Sequence, residues 1–312
     1  KTGVSNLAWS IEGSSQQINY DVGRDTETAR VRAVLDYQFD PQFKVGVTAG
    51  VESNNYVSEE RQRQTTYGAS FEWAPTERTQ VSGSVERRFF GNGHEFTVRH
   101  RTRLMSFSIK DRKDVTTTTG QILNAGSGVG FDLLFAALAS RIPDPVARAQ
   151  EVERLLQQGG IPPDLGIATG VLTTRVLLER RREASVALLG VANTVAFTAF
   201  RTDTQSLGVG AGTADDFALA STGTQRGVSA DWSHALSSLS SLSLFATWIR
   251  ATAASSSTLS TTERSLRLFF STQIGPKTFG TFGARHVRFD SATDIAPGYR
   301  ENAITATVTL LF

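Results

Sequence analysis

The stretch that decides the fold is ENAITATVTLLF, residues 301–312. Successive side chains of a β-strand point to opposite faces of the sheet. One face of this stretch is wholly apolar and the other mostly hydroxylated, and the apolar side chains are those of Ile304, Ala306, Val308, Leu310 and Phe312. Outer-membrane β-barrels combine an apolar lipid face with a polar lumen and aromatic girdles. The alternation therefore favours a transmembrane barrel over a soluble β-sandwich.

The same ending is similar to the assembly signal of outer-membrane barrels. That signal has a polar residue, a glycine two positions later, and apolar residues at the third-last and last positions. Thr305 is the polar residue, Leu310 and Phe312 are the apolar pair, and Thr307 stands at the glycine position. The match predicts that Leu310 and Phe312 are recognised by the barrel assembly machinery.

Composition limits the classes of protein that are compatible with the chain. With 312 residues, 39% hydrophobic content and a mean hydropathy of −0.18, it has no run of about 18 apolar residues that would predict a transmembrane helix. The absence of cysteine excludes disulfides, a thiolate nucleophile and cysteine metal sites, and a net charge of +2 gives no indication of nucleic-acid binding. The first residues, Lys1-Thr2-Gly3, do not resemble a signal peptide, so we expect further upstream sequence or processing.

Period-two alternation recurs along the whole chain and predicts about fourteen antiparallel strands in a single barrel, residues 1–312. The long run 94–115 is divided at 100–103, because barrel strands span about 9–11 membrane residues. The alternation changes phase before Ile18, which predicts a bulge, and the phase after Pro276 is ambiguous. Connections alternate between long and short, and Pro41, Pro75 and Pro276 all fall in short ones. Bacterial barrels place short turns on the periplasmic side and long loops outside.

Residues 121–166 interrupt the strand pattern and predict a two-helix insert in an extracellular loop. Residues 131–139, FDLLFAALA, form a short apolar segment, and Asp144-Pro145 opens an amphipathic helix that ends before Gly159. The insert is either a structured surface loop or a lid or plug over the lumen. The lid alternative depends on one apolar set, which consists of Phe131, Leu133, Leu134, Phe135 and Leu138.

Charged residues on the predicted inward face are the candidate functional set. Either they form neutralising networks that brace the wall, or they line a hydrated pore and tune what passes. The two alternatives are compatible. The set consists of Arg30, Arg32, Asp36, Lys44, Glu52, Glu72, Glu86, Arg88, Glu95, Arg99, Lys110, Arg175, Glu179, Arg181, Asp231, Glu263 and Arg267.

Catalytic and metal motifs are not found in the sequence. His94, His100, His234 and His286 lack metal-ligand spacing, and no phosphate loop or GxSxG nucleophile motif is present. We therefore expect no enzyme activity, no catalytic residues, no cofactor and no metal.

Several segments resemble one protein family in order along nearly the whole chain. The segments are YQFDP (37–41), AGVESNNY (49–56), EWAPTERT (72–79), RFFG (88–91), HRT (100–102), SRIPDP (140–145) and the run from Glu179 to Val195. They are similar to the outer-membrane β-barrel family associated with the exosortase (PEP-CTERM) system of Gram-negative bacteria.

The resemblance implies a setting and a role. Members carry sequence ahead of the first strand seen here, which implies sixteen or eighteen strands in a longer protein. The family implies a porin-like conduit in the bacterial outer membrane for exopolysaccharide export, with polysaccharide, membrane lipid and a periplasmic polysaccharide export protein as partners. The alternative function is a structural or interaction barrel with a closed lumen that anchors surface or assembly partners. An aromatic inward face would favour a path for sugars.

Overall fold

A computed structural model describes residues 6–19, 25–117, 135, 138, 142, 144–158, 176–208, 222–253, 260–292 and 297–310. These residues form fourteen strands and one helix, α1 (Pro145–Gln158). The strands are β1 (Leu7–Ile18), β2 (Thr26–Asp40), β3 (Phe43–Asn54), β4 (Gln62–Thr76), β5 (Thr79–Arg88), β6 (Gly91–Arg101), β7 (Met105–Thr116), β8 (Leu177–Leu189), β9 (Asn193–Ser206), β10 (Thr222–Ala235), β11 (Ser240–Ala253), β12 (Ser260–Gly275), β13 (Thr278–Ser291) and β14 (Tyr299–Leu310).

Each strand pairs antiparallel with its neighbours in sequence, so the sheet order is β1 to β14. Within the described residues, no hydrogen-bonded pair joins β1 to β14. Register shifts occur beside the three proline-containing turns, at Gln38/Asp40, Trp73/Thr76 and Gln273/Gly275. Proline cannot donate a ladder hydrogen bond, which explains why the regular pairing is interrupted where these turns begin or end. The end of the wall with these turns is here called the short-turn end, and the other the long-loop end.

The two faces of the sheet are inverted relative to a soluble protein. Polar side chains such as Glu52 and Thr66 are buried, while Val47, Phe197 and Ile304 are exposed. Large apolar side chains in contact with water are unfavourable when they form a continuous surface. A buried polar face and an exposed apolar face are the arrangement of a transmembrane β-barrel of the bacterial outer membrane.

Contacts between distant strands show that the polar face is concave. Strands two and three places apart lie about 10 and 14 Å apart in a flat sheet. Even so, Arg88 of β5 reaches Glu52 of β3 at 2.7 Å, and Arg30 of β2 forms an ion pair with Glu86 of β5. The sheet therefore curls around these side chains and forms a barrel wall.

One glycine lies where two loops meet at the long-loop end. A Cβ on Gly208, just after β9, would lie 2.6 Å from the carbonyl oxygen of Tyr56, just after β3, and Gly208 has a φ of +83°. Only glycine adopts that conformation without strain and allows this close approach. The contact joins loops that follow strands six places apart in the sheet, which agrees with a curled wall.

The strand pattern predicted from the sequence is largely confirmed. Fourteen strands are present, and the run 94–115 divides between β6 and β7 at residues 102–104. The bulge predicted before Ile18 is wrong, because β1 pairs without a break from Leu7 opposite Tyr37 to Ile18 opposite Thr26. In β13 the phase is also continuous, so Phe282 faces outward while Val287 and Phe289 face inward.

The helical insert lies partly outside the described residues. α1 begins after Asp144, whose carboxylate accepts hydrogen bonds from the backbone N–H groups of Val146 and Ala147 at 3.2 and 3.3 Å. This is an N-cap. Of the first predicted helix, only Phe135 and Leu138 are described, both in helical conformation, so the two-helix prediction stays a prediction. No helix among the described residues is long and apolar enough to cross a membrane.

Candidate functional site: the inner wall of the barrel

The register places sixteen of the seventeen candidate charges on the inward face. Examples are Arg30 opposite Glu52, Lys44 opposite Glu72, and Lys110 opposite Glu183. Arg175 lies outside the described residues. Period-two alternation was sufficient to find these residues, but it did not indicate which charges meet.

An ion-pair cluster surrounds Arg88 on the inner wall, at the long-loop end of β5. Its Nε and Nη2 atoms donate to the two carboxylate oxygens of Glu52 at 2.9 and 2.7 Å, which is the bidentate geometry of a strong charge-assisted pair. Its Nη1 donates to Asp114 of β7 at 2.5 Å. Glu52 is only 1% exposed. Because a buried carboxylate is costly without a partner, Arg88 is the group that makes its position tolerable.

A second chain of ion pairs runs beside the first. Arg30 and Glu86 form a pair across β2 and β5, and Arg32 lies 3.9 Å from Glu86 and donates to Glu12 of β1 at 2.6 Å. A Cβ on Gly68, which faces Glu86, would lie 3.0 Å from the Glu86 Cα. The absence of a side chain at Gly68 leaves space on the concave face for the side chains of Arg30 and Glu86 to meet.

The ion pairs border a cavity of about 300 Å³ near the long-loop end. Its wall contains charged groups of five strands and the ring of Tyr56, and the charged residues are Arg30, Glu52, Arg88, Arg112, Asp114 and Glu179. Burial raises the pKa of the Tyr56 phenol, and a hydrogen bond to Thr28 opposes the shift. The phenol is therefore neutral at physiological pH and presents a polar hydroxyl among charges.

Inward aromatic side chains are the component that sequence reasoning missed. Phe200, Phe245 and Phe269 face inward, and the rings of Phe245 and Phe269 pack edge to face with centroids 5.8 Å apart. Phe289 of β13 stacks on Tyr299 of β14, with centroids 5.4 Å apart and an interplanar angle of 20°. In the sequence, Phe269 is followed by the outward Phe270, and Phe289 lies between the outward Arg288 and Asp290. Their inward orientation could therefore be predicted only by following the alternation from one end of the strand to the other.

Polar contacts extend as far as β8, which is next to the first strand with an inward aromatic residue. Arg181 of β8 donates to Glu183 at 2.8 Å, and its guanidinium lies 4.7 Å from the ring centroid of Phe200. This is cation–π geometry. The inner wall can therefore hold water and charge along β2–β8 and offers rings along β9–β14.

Parts of the predicted lid are buried. Leu138 is 4% exposed and Val152 of α1 is fully buried. The guanidinium of Arg148 lies 4.3 Å from the ring centroid of Phe135, a contact within the insert. Phe131, Leu133 and Leu134 lie outside the described residues, as does Phe312 of the assembly signal, whereas Leu310 is exposed at the end of β14.

The four histidines lie on the outward face. His94 contacts Asp111 at 3.2 Å, and His100 contacts the Thr79 hydroxyl at 2.9 Å. Across the ranges that the structure describes, no group of three histidine, aspartate or glutamate residues is arranged to hold a metal ion.

Comparisons with known proteins return outer-membrane barrels. No family model matches the chain, and no curated protein is similar to it. OmpTdeltaL8, a loop-deletion mutant of an outer membrane protein of Vibrio cholerae, aligns over 98% of this chain and 99% of that chain, at 6% identity and a TM-score of 0.40. The anion-selective porin from Comamonas acidovorans aligns over 98% and 100%, at 7% identity and a TM-score of 0.41. Salmonella typhi OmpF aligns over 98% and 96%, at 5% identity and a TM-score of 0.40.

The overall likeness to these barrels is weak at such TM-scores. The barrel assignment follows from the strand order, the inverted faces and the contacts across the concave wall of this chain.

Proposed function

We propose that the protein is an outer-membrane conduit for exopolysaccharide, works with a periplasmic polysaccharide export protein, and belongs to the exosortase-associated barrel family that its sequence resembles. It acts by passage and binding and not by catalysis. The observation that carries the proposal is the inner wall, where ion pairs and a cavity of about 300 Å³ lie on one side and aromatic rings on the other.

The aromatic side of the wall supports a sugar path. The stacked pair Phe289–Tyr299 is inward and partly exposed, with Glu301 and Arg285 of the same two strands beside it. Aromatic rings pack against the apolar faces of sugars, and neighbouring charges hydrogen-bond to hydroxyls. A polymer that makes such weak contacts would be guided along the wall and would not be bound at one position.

The helical insert is proposed as the lid of this conduit. Leu138 and Val152 bury their side chains although they belong to a segment between two wall strands. Apolar helices in a connection must pack on something, and the concave side of the wall is the surface we propose.

Replacement of residues 121–166 by a short glycine-serine loop tests the lid. The wall should still fold, because long surface connections are tolerated thermodynamically. Single-channel conductance in planar bilayers and antibiotic leakage in cells should rise several-fold. The control is an equally long replacement of the connection 209–221, which should change neither. A folded variant with unchanged conductance would refute the lid.

Ion-current block by soluble oligosaccharides tests the sugar path. In the insert-less protein, dextran and alginate oligosaccharides should block the current, and Phe289→Ala with Tyr299→Ala should shorten the blocks at least tenfold, since each stacked ring contributes contact area. Phe282→Ala, an outward ring of the same strand, is the matched control. Equal shortening by the control would contradict the proposal.

The second candidate function is that of a structural barrel with a closed lumen. It is favoured by the Arg88 cluster, which links β3, β5 and β7 on the inner face and leaves Glu52 almost without exposure to solvent. In that case the insert-less protein would insert into bilayers without conducting, and it would still anchor its partners at the cell surface.

Recognition by the barrel assembly machinery is proposed for Leu310 and Phe312. Deleting Phe312 should lower the folded, heat-modifiable fraction in cells, while refolding of purified protein in detergent should remain nearly normal. Equal cellular yield of the deletion variant would count against this role.

A further inference from the structure

The outward face carries an arginine on each of seven consecutive strands, near the long-loop end, and β8 carries a second one, Arg180, which forms an ion pair with Asp111. We call this row the arginine belt, and it consists of Arg182, Arg201, Arg226, Arg250, Arg264, Arg288 and Arg300 on β8 to β14. Each has the same parity as the outward apolar residues of its strand, as Arg226 has with Val228 and Arg250 with Trp248. The belt is therefore on the lipid side of the wall and is separate from the lumen charges.

The register places these like charges directly opposite one another in two runs, which are offset by two residues between β11 and β12, where Arg250 is opposite Thr262 and Arg264 is opposite Trp248. Arg182 is paired with Arg201, Arg201 with Arg226, and Arg226 with Arg250. Arg288 lies between Arg264 and Arg300 in the same way. Like charges directly opposite in a sheet are destabilising, so seven arginines in such a row require anions close by.

The protein itself supplies only part of that negative charge. Asp111 lies 3.9 Å from Arg182, Asp203 lies 3.0 Å from Arg201, and Asp290 lies 2.9 Å from Arg288. Four belt arginines have no ion-pair or hydrogen-bond partner among the described residues, namely Arg226, Arg250, Arg264 and Arg300. The Nε of Arg250 is also buried without a hydrogen-bond partner.

The height of the belt corresponds to the edge of the membrane. On β11 the outward residues Leu242, Leu244, Ala246 and Trp248 precede Arg250. Leu242 and Arg250 are eight residues apart, about 26 Å along the strand. At the usual tilt this is about 20 Å of height, close to the roughly 25 Å apolar band of such barrels. The guanidinium group of Arg250 thus lies where the apolar band of β11 ends, at the level of lipid headgroups.

We propose that the arginine belt is a binding site for the phosphate groups of lipid A in the outer leaflet of the outer membrane. Guanidinium groups bind phosphate oxygens in bidentate fashion, and arginines spaced by the strand separation of about 4.8 Å present several such forks to one headgroup. The long-loop end faces outward in bacterial barrels, which puts the belt in the leaflet that contains lipid A. The site is independent of the conduit, because it lies on the other side of the wall.

Lipid binding by charge-removed variants tests the belt. The protein carrying Arg226→Gln, Arg250→Gln and Arg264→Gln is compared with wild type by native mass spectrometry and by thermal unfolding with added lipid A in neutral detergent. Each arginine near a charged lipid surface contributes about a factor of five in affinity, so the triple change should lower lipid A affinity on the order of a hundredfold. Unchanged affinity of the triple variant would overturn the proposal.

The matched control removes the same charge from the opposite end of the barrel. Arg78, Arg103 and Lys277 are exposed residues in short turns, and their replacement by Gln should leave lipid A binding unchanged. If the control lost as much lipid A affinity as the belt variant, the affinity would depend on the net charge of the protein and not on the belt. That result would refute the site.

Two further arms identify the ligand and guard against misfolding. The variant carrying Arg226→Lys, Arg250→Lys and Arg264→Lys keeps the charge, so it should fold like wild type and lose less affinity for lipid A than the Gln variant. A loss as large as that of the Gln variant would argue against phosphate binding. Inorganic pyrophosphate at the same phosphate concentration should give no thermal protection. Protection equal to that by lipid A would show a site for free phosphate and overturn the assignment to lipid.

Discussion

Arginines with opposite environments lie on the two faces of the wall. Inside, Arg30, Arg88 and Arg181 each form an ion pair with a carboxylate of the protein. Outside, Arg226 and Arg264 have no such partner among the described residues. The difference shows that these three inner charges are neutralised within the fold, whereas Arg226 and Arg264 depend on what surrounds the barrel. Stability in detergent should therefore respond to changes in the first group and hardly to changes in the second.

The largest effect is expected at Arg88. Arg88→Met would leave Glu52 buried without its bidentate partner, and breaking a buried pair in this way costs about 3–5 kcal/mol of unfolding free energy. Urea unfolding of the protein in detergent measures the change. Arg87→Met on the outward face of the same strand is the control, for which a change of less than about 0.5 kcal/mol is expected. Equal effects of the two variants would show that the inner pairing is not what stabilises this part of the wall.

The next largest effect concerns the apolar band between the two sets of charges. Val47→Lys places a charge on the lipid face of β3 and should cost about 2–4 kcal/mol if the site is near the midplane. Thr48→Lys places the same charge on the inward face one residue later, and the lumen should tolerate it. Refolding into lipid vesicles is the appropriate measurement. Similar tolerance at both positions would contradict the assignment of the faces.

A smaller effect is expected at the exposed end of the inner network. Arg32 and Glu12 are 34% and 51% exposed, so solvent screens their attraction. Arg32→Gln should reduce the unfolding free energy by about 0.2–1 kcal/mol at low salt. The difference should vanish at 1 M salt, where the screening length is about 3 Å. A salt-independent loss above this range would indicate that Arg32 is bound as firmly as Arg88.

The smallest effect in detergent is expected in the arginine belt. Arg226→Gln removes a charge that faces two other arginines across the strands, so its effect on unfolding in neutral detergent should be near zero or slightly stabilising. Adding lipid A should make the wild type the more stable protein. A clear destabilisation without lipid would mean that the residue has a structural partner in the protein, and the contrast between the faces would fail.

Sequence alone was sufficient for the faces of most strands, because a period of two residues is a local property of the chain. Val47, Leu268 and Ile304 could be assigned to the lipid, and Thr48 and Glu52 to the lumen, without knowledge of any neighbour. The break between β6 and β7 likewise followed from strand length. The errors arose where one residue contradicted its strand, at Ile18 and in β13, since the ladder keeps a constant phase even when single side chains do not suit their face.

Only the tertiary structure decided which residues meet. Arg30 and Glu86 are 56 residues apart and touch because the wall curves, and the inward rings of Phe245 and Phe269 pack because β11 and β12 are in one particular register. The belt arginines are scattered along more than a hundred residues of sequence and form a row only when seven strands are aligned. The alternation of side chains is set within one strand, whereas the register and the curvature of the sheet are set by contacts between strands. The alternation can therefore be read directly from a single sequence, whereas the register and the curvature are known only from the folded barrel.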